Sequence, residues 1–391
     1  MDGIAPNDYL TAAKGLAPLI ASLRPRFDVE RTLPGELVEA LASSGFFSLW
    51  APRAIGGAEL DPLPFLDVIE ELARLDGSVG WCTVIPAGYS RLAGALDEAV
   101  ARRMFGSGRA ALVGTLNPSG KAVAVAGGYR VTGRWSYGSF IAHSDWVLGN
   151  CITHDGHTPR KDATGAPEFR LAIVPRSEVE VFDVWHTGGL RGTGSNDYAI
   201  QDRFVPEEHT IPVPGFVAPV RQPGPLYTVP MPSTFTVCIA TVALGIARAA
   251  LEALDEVAAG RLATGSPLLL RDKPLAQAER ARAEALVRAG RAYVRDELGA
   301  AWQDALAGRE ISLPRRAQIR LAACHATQGA IEAVDIAYRL AGGAALYESG
   351  RIERCARDVH AAGQHVTVLP MTNLELVGKT LFGLDPGTTR F

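Results

Sequence analysis

The spacing of hydrophobic residues changes twice along the chain. Apolar residues recur at helical spacing over residues 7–23, 34–49, 62–75 and 96–104. From residue 110 onward the spacing falls toward two, in short apolar runs bounded by Gly, Pro, Asn and Asp, which is typical of strands. Beyond Pro232 the helical spacing returns. The pattern therefore predicts a β-rich module between two helical blocks.

The second helical block contains four long stretches joined by short turns, which favours an antiparallel four-helix bundle. They cover residues 234–259, 274–307, 314–341 and 351–382, the last interrupted by Pro370. The predicted fold class is mostly α with a central β-domain, built as a barrel or sandwich. We expect three domains: an N-terminal helical domain over 1–109, a middle β-domain over 110–214 and a C-terminal four-helix bundle domain over 215–391.

Charge and cysteine usage exclude several classes of protein. A formal net charge of -3 over 391 residues gives no overall basic field, so we expect no nucleic-acid partner. The five cysteines are scattered and form no CxxC pair, which suits reduced thiols in a cytoplasm. The longest apolar run, residues 238–246, is too short to cross a membrane, and the first residues carry acid rather than base. We therefore expect a cytoplasmic protein without a membrane partner.

Several familiar motifs are absent or out of context. The loose GxGxxA over residues 106–111 follows helical text and precedes strand text, the reverse of what a dinucleotide phosphate needs. His154 and His157 have no third ligand close in sequence, so we expect no metal site. One group of arginines lies near a single helix face. This face is solvated or contacts another subunit, or, alternatively, it binds an anion. This group comprises Arg280, Arg288, Arg291 and Arg295.

Four stretches of the chain together resemble a known fold. They are AIGGAELDPLPFLDVIEELARLDGSVGW, GGYRVTGRWSYGSFIAHSDW, GLRGTGSNDYAIQDRFVPEE and RDVHAAGQHV. Their order and spacing resemble the acyl-CoA dehydrogenase fold, and in particular its flavin-dependent monooxygenases, which take reduced flavin from a separate reductase. The likeness covers nearly the whole chain.

The resemblance implies a set of cofactor-binding residues. The β-domain loop that lies against the flavin ring matches Asn117, Pro118 and Ser119. The positions where the ring is stacked and its N5 edge contacted match Trp135, Ser136, Tyr137 and Ser139. Because Phe140 stands where the branch often has Gly, the residue facing N5 stays open among Ser136, Tyr137 and Ser139. Phosphate or ribose contacts match Arg191, Thr193 and Ser195, while Arg271 and Gln277 match a pair that reaches flavin phosphates, often of a neighbouring subunit.

One position in the last helical stretch separates the monooxygenases from their dehydrogenase relatives. Acyl-CoA dehydrogenases commonly carry a catalytic Glu there, but residues 359–374 contain no acid. The monooxygenase branch has a His instead, and His365 is the match. A His at this position donates a hydrogen bond to a hydroperoxide on flavin C4a. His360 lies about 140° away around a helix, so at most one of the two faces a given site.

The resemblance therefore implies a monooxygenase with His365 and Ser139 as its catalytic residues. It is expected to use O2 and reduced FMN or FAD, supplied by a separate NAD(P)H-dependent reductase, to hydroxylate a small aromatic substrate through a C4a-hydroperoxyflavin. An acyl-CoA dehydrogenase-type oxidoreductase or desaturase is the alternative activity, and a non-catalytic scaffold on the same fold is the other class. Because the bundle helices are long and apolar, we expect a homotetramer.

Overall fold

The computed structural model describes residues 6–162, 165–213, 218–219, 221–260, 262 and 267–388. Its first part is helical, as predicted. The six helices are α1 (Pro6–Gly15), α2 (Ala17–Glu30), α3 (Gly35–Ser43), α4 (Pro62–Leu75), α5 (Gly77–Tyr89) and α6 (Glu98–Phe105). Sequence reasoning missed α5, because all of its residues are buried and a helix that is apolar on every side shows no helical period. Asp76 caps the N-terminus of α5, and its side chain accepts the Ser78 N–H.

Part of the polar face of α4 is buried. Helical spacing puts Glu70 and Glu71 on the charged face, yet both residues are buried. Glu70 accepts hydrogen bonds from Arg248 at 2.9 Å and from Arg291 at 2.8 Å. Buried carboxylates persist only when they are paired. Arg291 therefore pairs with a buried carboxylate while 43% of its own side chain is exposed. The arginine group stays open between a solvated or subunit-contact face and a grip for an anion.

The strands form one eight-stranded mixed sheet rather than two packed sheets. They are β1 (Leu112–Val125), β2 (Gly128–Gly138), β3 (Trp146–Asp155), β4 (Thr158–Pro159), β5 (Phe169–Pro175), β6 (Glu180–Phe182), β7 (Asn196–Pro206) and β8 (Thr210–Pro212). The order is β6-β7-β2-β1-β3-β5-β8, with β4 paired to β3. The β1–β3 pair is parallel, while the other pairs are antiparallel.

Three glycines make room for the indole of Trp135 at the centre of this sheet. A Cβ atom on Gly120, Gly133 or Gly149 would lie 2.2, 2.7 or 2.6 Å from the Trp135 ring. Real Cβ contacts are never this short, so only Gly fits at these positions. The register between β2 and β7 shifts between Val131 and Gly133.

Helices return after the sheet and form the predicted bundle. They are α7 (Pro225–Thr228), α8 (Met231–Gly260), α9 (Pro274–Leu306), α10 (Leu313–Ala341), α11 (Arg351–Ala362) and α12 (Pro370–Leu381). By length and composition α8 could cross a membrane, but 89% of its apolar window is buried inside the protein. It is the core helix of the bundle, packed against α4, α5, α9, α10 and α11.

The last helical stretch divides earlier than the sequence indicates. Helix α11 ends at Ala362 and α12 begins at Pro370, so His365 lies in the turn between them. The expectation of a histidine on the helix itself is corrected, and helical geometry does not fix its direction. The order of helical block, sheet and bundle confirms the predicted fold class. The domain boundaries stay a prediction, and residue 214 lies outside the described residues.

Candidate active site

Three distant parts of the chain meet at Trp81. Its indole Nε1–H donates to Ser139 Oγ at 3.0 Å, in the turn after β2. The edge of the same indole packs against the ring of His365, with centroids 5.8 Å apart and planes at 65°. The two predicted catalytic residues are therefore joined by a side chain that sequence reasoning did not select. Trp81 lies in an apolar run, and nothing in that run distinguishes it from a core residue.

His365 is held in one protonation state. Its Nδ1 accepts the backbone N–H of Thr367 at 3.3 Å and lies 2.8 Å from the Thr367 hydroxyl. Because Nδ1 accepts an N–H, it carries no proton itself, and the proton of the neutral ring is on Nε2. Burial, with a smaller contribution from the charge of Arg320, lowers the pKa of His365 to about 4. The imidazole is therefore neutral near pH 7 and offers an N–H donor at Nε2.

Aromatic rings enclose this histidine. Phe235 on α8 lies 6.2 Å from the His365 ring, between centroids, and Tyr89 stacks on Phe235 at 5.3 Å. Burial raises the pKa of the Tyr89 hydroxyl well above its ordinary range. Trp81 and Phe235 are thus aromatic neighbours of the half-buried His365, with Tyr89 behind Phe235, and aromatic side chains of this kind are the usual lining of a small-molecule site.

Ser139 belongs to a buried row of hydroxyl groups. Its Oγ lies 2.7 Å from Ser195 Oγ, which lies 2.7 Å from Thr193 Oγ1. Thr193 then donates to the carbonyl oxygen of Leu190 at 2.8 Å. The loop that carries this row is fixed from the bundle side, because Asp358 on α11 accepts the Leu190 N–H at 2.6 Å.

The neighbouring His360 faces elsewhere. It lies on α11 with half of its side chain exposed, and its Nε2 is 2.9 Å from a carboxylate oxygen of Asp335 on α10. It makes a surface ion pair when protonated. The prediction that only one of the two histidines faces the site agrees with this arrangement.

Other predicted cofactor residues lie at the surface of the sheet. Asn117 and Ser119 are exposed where the register of β1 shifts, and the Asn117 amide donates to Ser119 Oγ at 2.8 Å, with Pro118 between them. Ser136 is exposed, and Tyr137 is 68% exposed with a left-handed backbone. These residues are free to contact a ligand, and their role in flavin binding stays a prediction.

The structure argues against a direct contact for three predicted residues. Trp135 is only 1% exposed, stacks on Tyr198 and donates to the carbonyl oxygen of Asn150. It has no open face on which a flavin ring could stack. Thr193 and Ser195 are buried and turned toward Ser139, so their hydroxyls are not presented to an external phosphate or ribose.

The predicted phosphate-binding residues Arg191, Arg271 and Gln277 form local hydrogen bonds in the structure. Arg191 donates to the carbonyl oxygen of Thr187 at 3.0 Å. At the start of α9 the Gln277 amide donates to the carbonyl oxygen of Arg271 at 3.0 Å, and the Arg271 side chain is 59% exposed. Within the described residues, no hydrogen bond or ring contact joins Arg271 or Gln277 to Trp81, Ser139 or His365. Their part in phosphate binding stays a prediction.

The donor set fits a flavin. A flavin ring is flat and apolar on its faces and carries N–H and C=O groups along its edges. The site offers aromatic walls, a hydroxyl at Ser139 and an N–H donor at His365 for such a ring. Asn117 and Ser119, predicted to lie against the ring, and Arg271, predicted to reach its phosphates, are exposed. No cluster of metal-ligating side chains occurs in the part of the chain that the structure describes.

Comparison with known proteins places this geometry in a family. The model of the acyl-CoA dehydrogenase N-terminal domain matches residues 11–95, and that of the acyl-CoA dehydrogenase C-terminal domain matches residues 237–370. Indole-3-acetate monooxygenase from Pseudomonas putida is 32% identical, over 98% of this chain and 97% of the relative.

Two further relatives have solved structures. The flavin-dependent monooxygenase oxygenase subunit HsaA of Mycobacterium tuberculosis is 30% identical over 100% of both chains. Its crystal structure has a TM-score of 0.90 over 99% of this chain and 100% of that one. XiaF from Streptomyces sp., solved with FADH2 and glycerol, is 27% identical with a TM-score of 0.88, over 97% of this chain and 96% of that one.

Proposed function

This chain belongs to the flavin-dependent monooxygenases of the acyl-CoA dehydrogenase family, enzymes whose oxygenase component uses reduced flavin, and we propose that it hydroxylates a small aromatic substrate. The single observation that carries the proposal is the neutral His365. The His365 ring lies beside Trp81 and Phe235, and Trp81 also donates to the hydroxyl of Ser139.

The chain's own residues bind and orient the reactants, and they exclude water. When bound, reduced flavin supplies the two electrons with which O2 is split, one oxygen atom entering the substrate and the other leaving as water. Trp81, Tyr89 and Phe235 keep bulk water from the site, because their rings leave little polar surface. His365 donates a hydrogen bond to the oxygen and keeps a proton near it. A carboxylate, ionised near pH 7, would accept a hydrogen bond there instead of donating one.

An aromatic substrate is supported by the walls and by the relatives. Aromatic rings stack offset or edge-on with one another, so Trp81, Phe235 and Tyr89 offer such contacts to an aromatic substrate. Indole-3-acetate, which names the Pseudomonas putida relative, is an aromatic compound. A FADH2-dependent resorcinol hydroxylase component from Rhizobium is also similar, at 26% identity over 95% of this chain and 93% of the relative.

A separate NAD(P)H-dependent reductase is the expected electron source, because the chain has no nicotinamide fingerprint in a suitable context. We further infer a homotetramer in the cytoplasm. The cytoplasm is supported by five free, buried cysteines, and the tetramer by the long apolar α8 of the bundle. The dehydrogenase alternative is disfavoured, because residues 359–374 supply no carboxylate base at the position of His365.

Oxygen-isotope labelling tests the proposal directly. The protein is loaded anaerobically with chemically reduced FMN or FAD, mixed with buffer containing 18O2, and offered a panel of phenols and indoles. The expected product has gained one 18O atom, detected by mass spectrometry. If an acyl-CoA substrate is desaturated and no 18O is incorporated from any aromatic compound, the dehydrogenase alternative holds instead.

A further inference from the structure

The His365 turn, residues 363–369 between α11 and α12, is closed by a side chain of the helix that follows it. Asn373 lies on α12 and is only 2% exposed. Its amide Nδ2 donates to the carbonyl oxygens of Val366 at 2.8 Å and Leu369 at 2.7 Å. Because both carbonyls belong to the turn, one buried amide ties the middle of the turn to its end.

The orientation of the Asn373 amide is set from α10. Arg320 is buried there and donates from Nη1 to Asn373 Oδ1 at 2.7 Å. A guanidinium only donates hydrogen bonds, and a backbone carbonyl only accepts them. The amide therefore faces the arginine with its oxygen and the two carbonyls with its nitrogen. Both polar atoms of the Asn373 side chain are thus used in holding the turn.

The same turn contains the residue that contacts the imidazole. The Thr367 carbonyl oxygen accepts the Thr236 hydroxyl of α8 at 2.8 Å, and Arg320 makes a longer contact of 3.5 Å with the same oxygen. The Thr367 hydroxyl lies 2.8 Å from His365 Nδ1, to which the Thr367 N–H also donates. Because that nitrogen carries no proton, the hydroxyl donates to it as well. Thr367 therefore holds the ring in one tautomer and one orientation.

Packing gives this turn limited support. Val368 is fully buried, but Gln364 is exposed and Val366 is 63% exposed. A segment with few buried apolar contacts is held in shape mainly by its hydrogen bonds, and loss of two of them lets it open locally. Asn373 supplies two such bonds. The direction of the His365 ring therefore depends on a side chain that does not touch it.

We propose that Asn373 and Thr367 are positioning residues for His365, because they fix the turn in the shape that leaves the imidazole proton on Nε2. A neutral imidazole that is not held in this way interconverts between its two tautomers, and Nε2 then donates only part of the time. Neither residue needs to contact flavin or substrate, since both act through His365. The consequence for oxygen transfer rests on the function proposed above, whereas the effect on the imidazole does not.

Deuterium exchange at the imidazole carbon Cε1 tests the positioning in the flavin-free protein. This exchange passes through the imidazolium, so a ring whose pKa is lowered to about 4 exchanges slowly and a ring released to water exchanges faster. Mass spectrometry with peptide fragmentation resolves His365 from His360. In Asn373→Leu and Thr367→Val we expect His365 to exchange about tenfold faster, the factor given by one hydrogen bond. His360 should exchange at its wild-type rate in the same molecules.

Conservative variants separate the hydrogen bonds from side-chain volume. Thr367→Ser keeps the hydroxyl and should restore the wild-type rate, whereas Thr367→Val keeps only the shape. Asn373→Asp keeps the size and the acceptor for Arg320 but offers no N–H to the two carbonyls, so it should behave like Asn373→Leu. Thr380→Val is the control on the same helix. It removes a hydroxyl that donates to the carbonyl oxygen of Leu376 within α12, and it should change nothing.

The second readout is hydrogen peroxide and product formed per O2 consumed, with the flavin reduced chemically. In Asn373→Leu and Thr367→Val the peroxide yield should rise about threefold to tenfold, with the dissociation constant of reduced flavin within a few-fold of wild type. In a His365→Ala background, Asn373→Leu should have no further effect on the peroxide yield, as a double-mutant cycle requires for residues that act together. Circular dichroism identifies the variants that have kept the fold, and Thr367→Val against Thr367→Ser decides the question where Asn373→Leu has not.

The outcomes are distinct for the two proposals. Wild-type exchange at His365 in folded Asn373→Leu, Asn373→Asp and Thr367→Val overturns the positioning role, even when 18O enters the substrate. An undiminished effect of Asn373→Leu on the peroxide yield without His365 overturns it as well. Absence of 18O from every product, with faster exchange at His365, overturns the proposed hydroxylation and leaves the positioning in place.

Discussion

Replacing His365 with Ala should uncouple oxygen use from product formation while leaving flavin affinity within a few-fold. The substitution removes the Nε2–H donor that the Thr367 N–H assigns to the ring. One positioned hydrogen bond in a site shielded from water contributes about 1–3 kcal/mol, which corresponds to about a tenfold to hundredfold faster loss of activated oxygen. Hydrogen peroxide released and product formed, each per O2 consumed, measure the effect.

The histidine pair supplies a matched control. His360→Ala removes an imidazole five residues away that pairs with Asp335 at the surface, and it should change neither the peroxide yield nor the product yield. His365→Gln restores an amide N–H donor and should recover part of the coupling. If coupling is intact in His365→Ala but collapses in His360→Ala, the role given to His365 is refuted.

The pH dependence provides a second check on the same residue. With a pKa of about 4 the imidazole stays neutral through the physiological range, so product per O2 should be constant between about pH 5.5 and 8. An ordinary histidine would gain a proton near pH 6.5 and change the coupling there. A step in coupling at that pH, absent in His365→Ala, would contradict the assignment of a neutral donor.

Three other changes give separate tests. Trp81→Phe keeps the ring beside His365 but removes the N–H to Ser139, so peroxide release should rise about threefold to tenfold, less than in His365→Ala; a yield equal to wild type would mean that the bond is not used. Gly149→Ala places a Cβ 2.6 Å from the Trp135 ring and should lower the free energy of unfolding in urea by about 1–3 kcal/mol, with part of the loss recovered in the double variant with Trp135→Phe. Burial and the nearby Asp76 raise the pKa of Asp358 from 3.8 to about 7, so between these values the folded protein holds a proton that the unfolded chain has released, and stability falls as pH rises. Asp358→Asn, which keeps an acceptor for Leu190, should flatten that fall in melting temperature, whereas an unchanged slope would assign it to other groups.

The overall architecture was readable from the sequence because each block has its own hydrophobic period. Amphipathic α4 and the long α8 to α10 show helical spacing, and the short strands show spacing near two. Sequence reasoning missed helix α5 because the helix is buried on all sides and its Gly and Pro residues suggest a loop. The role of Trp81 was missed for the same reason, because Trp81 projects from α5 into the site.

The site itself needed tertiary information at each point. The resemblance selected Ser139 and His365 by position, but Trp81 emerges only from its contacts with both. The indole of Trp135 suits flavin stacking by residue type, yet the glycines around it create a slot that buries it completely. Thr193 and Ser195 carry hydroxyls suited to a phosphate, and only the fold shows that these point inward. Residue type limits what a side chain can do, while burial and direction decide what it does.

The meeting of distant segments at Trp81 also governs when the site exists during folding. Trp81 and Ser139 are 58 residues apart in sequence, and Leu190 and Asp358 are 168 apart. Contacts between segments so far apart carry a large loop-closure entropy and form after local helices and hairpins. A chain in which α11 has not yet docked has neither the anchored hydroxyl row nor His365 beside Trp81. Docking of α11 is therefore the folding step on which the enclosure of the site depends.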